Sequence, residues 1–210
     1  VQDLTSGSPL KRIWQFAVPV LFGLLLQQVY SLVDTAIVGH ALGVMALGGV
    51  GATGSVNFLV IGFCSGLCTG MAIPLAQSFG AGDEKMLRRY VGNCIWLGTI
   101  CSAVLLAVTL PVCRPLLSLM GTPQEQMGYA YDYIFVIFIG IPTTILYNMS
   151  ACVLRALGDS KSPVWFLAIA SAINIVLDLL LVCVCKMGVA GAAIATDISQ
   201  LGSGLLCVWY

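Results

Sequence analysis

The chain has 210 residues, of which 59% are hydrophobic and only 9% are charged, and its nine basic residues balance its nine acidic ones. A soluble domain carries about 25% charged residues, so this composition excludes an ordinary water-soluble protein. The zero net charge also gives no support for nucleic-acid binding. Because spans in lipid must satisfy their backbone hydrogen bonds internally, the sequence predicts an integral membrane protein of apolar helices.

Six apolar segments follow one another along the chain, each long enough to cross a hydrocarbon core of about 30 Å. They do not alternate strictly between polar and apolar residues, which favours helices over the strands of a barrel. The predicted spans are 13–38, 46–76, 90–113, 129–154, 163–185 and 189–210. The predicted fold class is therefore all-α, with the whole chain, 1–210, forming one transmembrane unit. A face of close helix packing is predicted from the spacing of Gly62, Gly66 and Gly70.

The connections between the spans fall into two groups that differ in positive charge. Seven of the nine basic residues lie before the first span, after the second or after the fourth, and two lie in the other connections. This bias predicts that the chain begins in the cytoplasm and returns there after six spans. The polar opening segment, residues 1–12, does not read as a cleavable signal peptide. We therefore expect a multi-pass protein of the inner (plasma) membrane with both ends of this segment in the cytoplasm.

Acidic residues inside the spans are the most informative polar feature, because a charge at the bilayer centre costs at least about 2.5 kcal/mol and usually marks a functional pathway. Three of these acids are the candidates, one each in the first, fifth and sixth spans: Asp34, Asp178 and Asp197. Gln27 and Tyr30 precede Asp34 on the same face of the first helix. Asn174 likewise precedes Asp178 by one helical turn.

Depth in the membrane predicts which of these side chains can meet. Asp178 lies about 22 Å from the start of its span. Thr196 lies about 12 Å from the start of the next span, which begins on the opposite side of the membrane. These depths add up to about one membrane thickness, which places both residues at a similar level, within reach of Asp34. Oxygen atoms are the preferred ligands of hard cations. The residues predicted to bind Na⁺ or a proton are therefore Asp34, Asn174, Asp178 and Thr196, and a purely structural role for the acids is the alternative.

Four motifs resemble the multidrug and toxic compound extrusion (MATE) family, in its bacterial branch, over nearly the whole chain. In chain order they are PVLFGLLLQQVYSLVDTAIVGHALG, QSFGAGDEKMLRR, LRALGDSKSP and MGVAGAAIATDISQ. Their order and spacing resemble the amino-terminal six-helix lobe of a twelve-helix transporter. The resemblance implies that a carboxyl-terminal lobe is missing from this sequence, although a half-size protein that pairs with itself is an alternative.

The resemblance also implies a role for each candidate residue. The family's cation site is matched by Asp34, Asn174, Asp178 and Thr196. Its substrate cavity is matched by Gln27, Tyr30 and Asn148. Pro19 matches a proline whose bending acts as a hinge in some members. The implied function is that of an antiporter rather than an enzyme, coupled to Na⁺ or H⁺ and without a further cofactor, which exports amphipathic or cationic drugs by alternating access.

Three alternatives stay open at this point. A lipid-linked oligosaccharide flippase of the same superfamily would need a more cationic cavity, and no Lys or Arg lies within a predicted span away from its edges. A membrane enzyme would need a clustered nucleophile, a His and acid pair or a metal motif, and the sequence shows none of these. A passive channel or a structural subunit would not need an acidic oxygen site.

Overall fold

The computed structural model describes residues 8–210, which form helices joined by short connections. Residues 1–7, the first part of the polar opening segment, lie outside the described residues. The helices are α1 (Pro9–Leu42), α2 (Val44–Gly80), α3 (Glu84–Leu119), α4 (Gln124–Ile139), α5 (Ile141–Ala156), α6 (Ser162–Asp178) and α7 (Gly188–Trp209). A π-helical segment, Leu179–Val184, continues α6 towards the connection with α7.

The described helices form six membrane spans when the broken helix pair α4 and α5 is counted as one span. The other five spans are single helical segments that are long and apolar enough to cross a bilayer. α4 and α5 meet at Gly140 with a bend of 49°. Pro142 in the first turn of α5 contributes to this break, because it has no backbone N–H to continue the hydrogen bonding of α4. The apolar segment 129–154 is thus two helices rather than one.

The first three helices extend beyond the apolar segments that predict them. They contain 34, 37 and 36 residues, or about 50–55 Å at the usual helical rise, which exceeds the thickness of the hydrocarbon core. Hydropathy marks the part of a helix that lies in lipid, and it does not show where the backbone stops being helical. α3 accordingly continues through Pro115 to Leu119, well past the predicted end at residue 113.

Glycine residues allow the closest helix crossings in the lobe. A Cβ atom added at Gly49 of α2 would lie 2.7 Å from the Cβ of Tyr129 on α4, and one added at Gly204 of α7 would lie 3.1 Å from the backbone nitrogen of Tyr147 on α5. Small residues permit such close approach of membrane helices. The predicted packing face on α2 is not one of these crossings, because no described heavy atom of another helix lies within 4 Å of a Cβ added at Gly62, Gly66 or Gly70.

α1 lies at the edge of the helix group and packs against α6 and α2. Its apolar side chains, such as Phe22 and Leu32, are largely exposed, as is normal for a helix that faces lipid. α1 ends at Leu42, and the next residue, Gly43, alone connects it to α2. The φ of Gly43 is 86°, a backbone conformation that favours glycine. α7 packs extensively against α5 and α6. Together, these contacts direct one polar face of α1 towards α6 and α7.

Candidate functional site

The four predicted cation ligands lie on α1, α6 and α7, and three of them are almost fully buried. Asn174 and Asp178 of α6 are 1% and 0% exposed, and Asp34 of α1 is 6% exposed. Thr196 of α7 is half-buried. Asp178 is the last residue of α6 before the π-helical segment. Local π-helical geometry is frequent at functional sites, because it alters the direction of the neighbouring side chains.

Several buried polar atoms of these residues have no hydrogen-bond partner among the described residues. They are Asp34 Oδ1, Asn174 Oδ1 and Nδ2, both carboxylate oxygens of Asp178, and Thr196 Oγ1. One buried polar group without a partner costs about 1–3 kcal/mol, so proteins rarely contain several together without a reason. Asp34 and Asp178 are also close enough to interact electrostatically. A cation or proton bound here would relieve the repulsion between the two carboxylates and would give the unpaired polar atoms a partner.

A small cavity of about 20 Å³ lies between α1, α6 and α7. Tyr30, Asn174 and Thr196 line it, so the structure brings together predicted site residues from three separate helices. Its volume suffices for one water molecule or one small ion. Asp34 and Asp178 do not line this cavity, but both carboxylates lie near Tyr30 and act on it electrostatically.

α7 adds three residues to this cavity that the sequence analysis missed, Ser199, Gln200 and Ser203, and two of them have an unpaired side-chain oxygen. Gln200 and Ser203 line the cavity, and Gln200 Oε1 and Ser203 Oγ also lack hydrogen-bond partners among the described residues. They follow Thr196 on the same helix face, at i+4 and i+7. This spacing was the signal that could have identified them. It is inconspicuous because uncharged polar residues change the hydropathy of a glycine-rich and alanine-rich helix only slightly.

Asp197, the third acid in a span, is directed to a different place. It is not among the residues that line the small cavity. Its carboxylate instead lies against Gly140, at the break between α4 and α5, where an added Cβ atom would collide with Asp197 Oδ1. Adjacent positions on α7, Thr196 and Asp197, thus point to two different features of the lobe.

A larger groove of about 470 Å³ lies between α1, α2, α5 and α6. Gln27 and Asn148, two of the residues predicted for the substrate cavity, line this groove, whereas Tyr30 lines the small cavity. Asn148 donates a hydrogen bond to the backbone oxygen of Thr144 at 2.8 Å and accepts one from Ser65 Oγ at 3.4 Å. These contacts hold its amide group in place at the wall of the groove.

Arg155 also lines the groove, although the sequence pattern placed it in the connection after the fourth span. α5 continues to Ala156, so Arg155 lies in its last turn and its side chain is half-buried. Its guanidinium Nη2 donates a hydrogen bond to Cys152 Sγ at 3.0 Å. The groove therefore contains a positive charge that the predicted span boundaries did not show.

Pro19, the predicted hinge, lies inside α1, which is continuous from Pro9 to Leu42. The missing N–H of a proline removes one helical hydrogen bond and makes bending easier at that turn. Pro19 precedes Gln27 by about two turns on the same helix. A hinge at this residue stays a prediction.

In the part of the chain that the structure describes, six apolar spans together with a group of buried polar side chains define a multi-pass membrane protein. The sequence matches the MatE family over residues 19–180. The chain therefore belongs to the MatE family, and both the predicted family and the predicted all-helical fold class are confirmed.

Relatives of the chain include named multidrug transporters. It is 36% identical over 198 residues to the probable multidrug resistance protein YpnP of Bacillus subtilis (strain 168), covering 94% of this chain and 44% of YpnP. Its fold matches that of a MOP superfamily transporter from Pyrococcus furiosus with a TM-score of 0.90 at 28% identity, covering 97% of this chain and 45% of that one. A multidrug resistance MATE family transporter in an outward-facing conformation gives the same four values. The chain spans about half the length of the curated relatives it matches.

Proposed function

We propose that the protein exports amphipathic drug-like molecules across the inner membrane in exchange for Na⁺ or H⁺, and that this chain is its ion-binding lobe. The observation that carries the proposal is the cluster of unpaired buried polar atoms on α1, α6 and α7. The relatives named above are multidrug resistance proteins and transporters, and they favour neither the flippase alternative nor an enzyme. The remaining length of those relatives corresponds to a second lobe, against which this one would move in alternating access.

Each part of the lobe has a role in this proposal. Asp34 and Asp178 bind the coupling ion, and Asn174 and Thr196 complete its ligands. Carboxylate, amide and hydroxyl oxygens suit Na⁺, and the two carboxylates also suit protons. Membrane lipid surrounds the lobe, both ends of the chain lie in the cytoplasm, and no nucleic acid takes part. Bound drug occupies the larger groove, where it contacts Gln27 and Asn148.

Drug efflux from energised cells tests this function. We expect Asp34→Asn and Asp178→Asn each to abolish export of an effluxed dye while the protein still reaches the membrane at normal levels. Glu125→Gln is the matched control, because Glu125 is an exposed acid in the first turn of α4, outside the predicted apolar spans, and its replacement should leave export unchanged. Imposing a sodium gradient or a proton gradient on proteoliposomes then identifies the coupling ion.

Normal export by both variants would show that these acids are structural and that coupling takes place elsewhere. Loss of export in the Glu125→Gln control as well would mean that removing any acid impairs the protein, so the proposed ion site would lose its support.

A further inference from the structure

The larger groove carries a single charge among the described residues that line it, and this charge is positive. Arg155 is the only Lys, Arg, Asp or Glu in that lining. Its hydrogen-bond partner is the thiol of Cys152, an uncharged and weak acceptor. No carboxylate of the groove therefore balances the guanidinium.

Asp159, the acid that follows Arg155 by four residues, is already engaged in hydrogen bonds. Its Oδ1 accepts hydrogen bonds from the backbone N–H groups of Lys161 and Ser162, both at 3.0 Å, and its Oδ2 accepts one from Ser162 Oγ at 2.6 Å. These bonds fix the carboxylate at the start of α6. It thus stabilises the connection between α5 and α6, and it does not line the groove.

The rest of the groove is lined by uncharged polar groups and by apolar groups. Gln27 and Asn148 supply amide groups to the lining, and Thr69 supplies a hydroxyl. Phe16 and Leu167 are among its apolar residues. Such a surface fits a molecule with an apolar body and one strongly polar end.

We infer that the groove binds the anionic end of an amphipathic substrate, with the guanidinium of Arg155 facing its carboxylate, sulfonate or phosphate group. Arginine suits such oxyanions because its planar group offers several N–H donors in a fixed arrangement. This inference rests on the proposed function, since it assigns the charge of the exported molecule.

A cationic substrate would meet unfavourable electrostatics in this groove. The buried acids Asp34 and Asp178 do not line the groove, which shares Tyr147 and Leu167 with the small cavity. A cation in the groove would therefore face Arg155 without a carboxylate in the groove lining to attract it. The groove thus favours anions, whereas the family resemblance by itself implies drugs that are often cationic.

Two xanthene dyes of opposite charge test the inference on the purified protein in detergent micelles. Fluorescein is an anion and rhodamine 123 is a cation, and the two share a similar aromatic frame. Fluorescence polarisation should show tighter binding of fluorescein. Arg155→Gln should weaken fluorescein binding by about tenfold or more, as expected for the loss of a charged hydrogen bond, and should leave rhodamine 123 binding unchanged or stronger.

Two further variants show whether the effect depends on charge at this position. Arg155→Lys keeps the charge and should retain most of the fluorescein affinity. Lys161→Gln removes an exposed cation of the neighbouring connection that does not line the groove, and it should bind both dyes like the wild type. Unchanged rhodamine 123 binding by Arg155→Gln also shows that this variant is folded.

Tighter wild-type binding of rhodamine 123, or fluorescein binding that is insensitive to Arg155→Gln, would overturn the inference. An anionic lipid is the other source of the same chemistry, so the titrations are repeated with phosphatidylglycerol or phosphatidylcholine added. Displacement of fluorescein by phosphatidylglycerol alone, together with no export of fluorescein from proteoliposomes, would assign the site to lipid and would also overturn it. Neither result affects the proposed function, which fails only if no dye is exported or if export does not depend on Asp34 and Asp178.

Discussion

Replacing Gly140 by alanine should destabilise the lobe, although alanine is normally the better helix residue. Gly140 has φ −74° and ψ −2°, a conformation that alanine adopts without strain. At an ordinary helical position this change would stabilise the protein by about 0.5–1 kcal/mol. The structure predicts the opposite sign, because the new Cβ atom would collide with the carboxylate of Asp197.

The expected loss lies between two limits set by how Asp197 responds. Overpacking of a well-packed interior costs about 1–3 kcal/mol. Rotation of the short Asp197 side chain away from α5 would give the lower value, and displacement of α7 would give the upper one. Since 1 kcal/mol corresponds to about 2–4 °C for a chain of this size, the Tm should fall by about 2–12 °C.

Thermal unfolding in detergent, followed by tryptophan fluorescence, measures this effect. Gly62→Ala is the matched control, because Gly62 is also helical and no described heavy atom lies within 4 Å of its added Cβ. Its Tm should stay the same or rise. Adding Asp197→Ala to the Gly140→Ala variant should recover about 1 kcal/mol or more beyond additivity, because the colliding group is then absent. A Gly140→Ala protein as stable as wild type, or one that Asp197→Ala does not rescue, would refute the reasoning.

Two further predictions concern other polar groups of the lobe. Asp159→Ala should lower the free energy of unfolding by about 1 kcal/mol at neutral pH, because Lys161 and Ser162 lose their hydrogen bonds to its carboxylate. Burial would raise the pKa of Asp159, but hydrogen bonds from Ser162 and Lys161 outweigh this effect and lower the pKa below its ordinary value of 3.8. The stabilisation is therefore present above about pH 4 and is lost in acid. The thermal unfolding curves of wild type and variant should converge there. Gln200→Leu should leave the Tm unchanged or raise it, because a buried oxygen without a partner is removed, yet it should reduce dye export. Gln28→Leu, at an exposed position of α1, is the control. Equal export by the two variants would contradict a role of Gln200 at the small cavity.

The number and order of the spans were predictable from the sequence, because hydropathy reports directly on contact with lipid. The break between α4 and α5 was not, since 129–154 is mostly apolar on both sides of the break and only Gly140 and Pro142 hint at a discontinuity. Glycine packing was also poorly predicted. Regular spacing drew attention to Gly62, whereas the close contacts occur at positions such as Gly49, where the partner helix and not the spacing decides.

The candidate ion site was predictable in part, because acids are rare in apolar spans and their helical spacing reveals a shared face. The role of Asp197 was not predictable, since sequence alone does not show that its neighbour Thr196 faces a different helix. The charge of the groove escaped notice for another reason. Arg155 follows the last apolar residues of its span, and only the observed length of α5 shows that it lies on the groove wall.

α1 contacts both spaces of the lobe, as α5 and α6 also do through Tyr147 and Leu167. On α1, Gln27 lines the groove, and Tyr30, three residues later, lines the small cavity. A displacement of α1 that closes one space must therefore change the other, because both side chains move with the same helical turn. An ion bound near Asp34 can drive drug release only if its binding free energy differs between two positions of α1. Under the proposed function, an ion at the nearly fully buried Asp34 would act on a helix whose other side chains are mostly exposed.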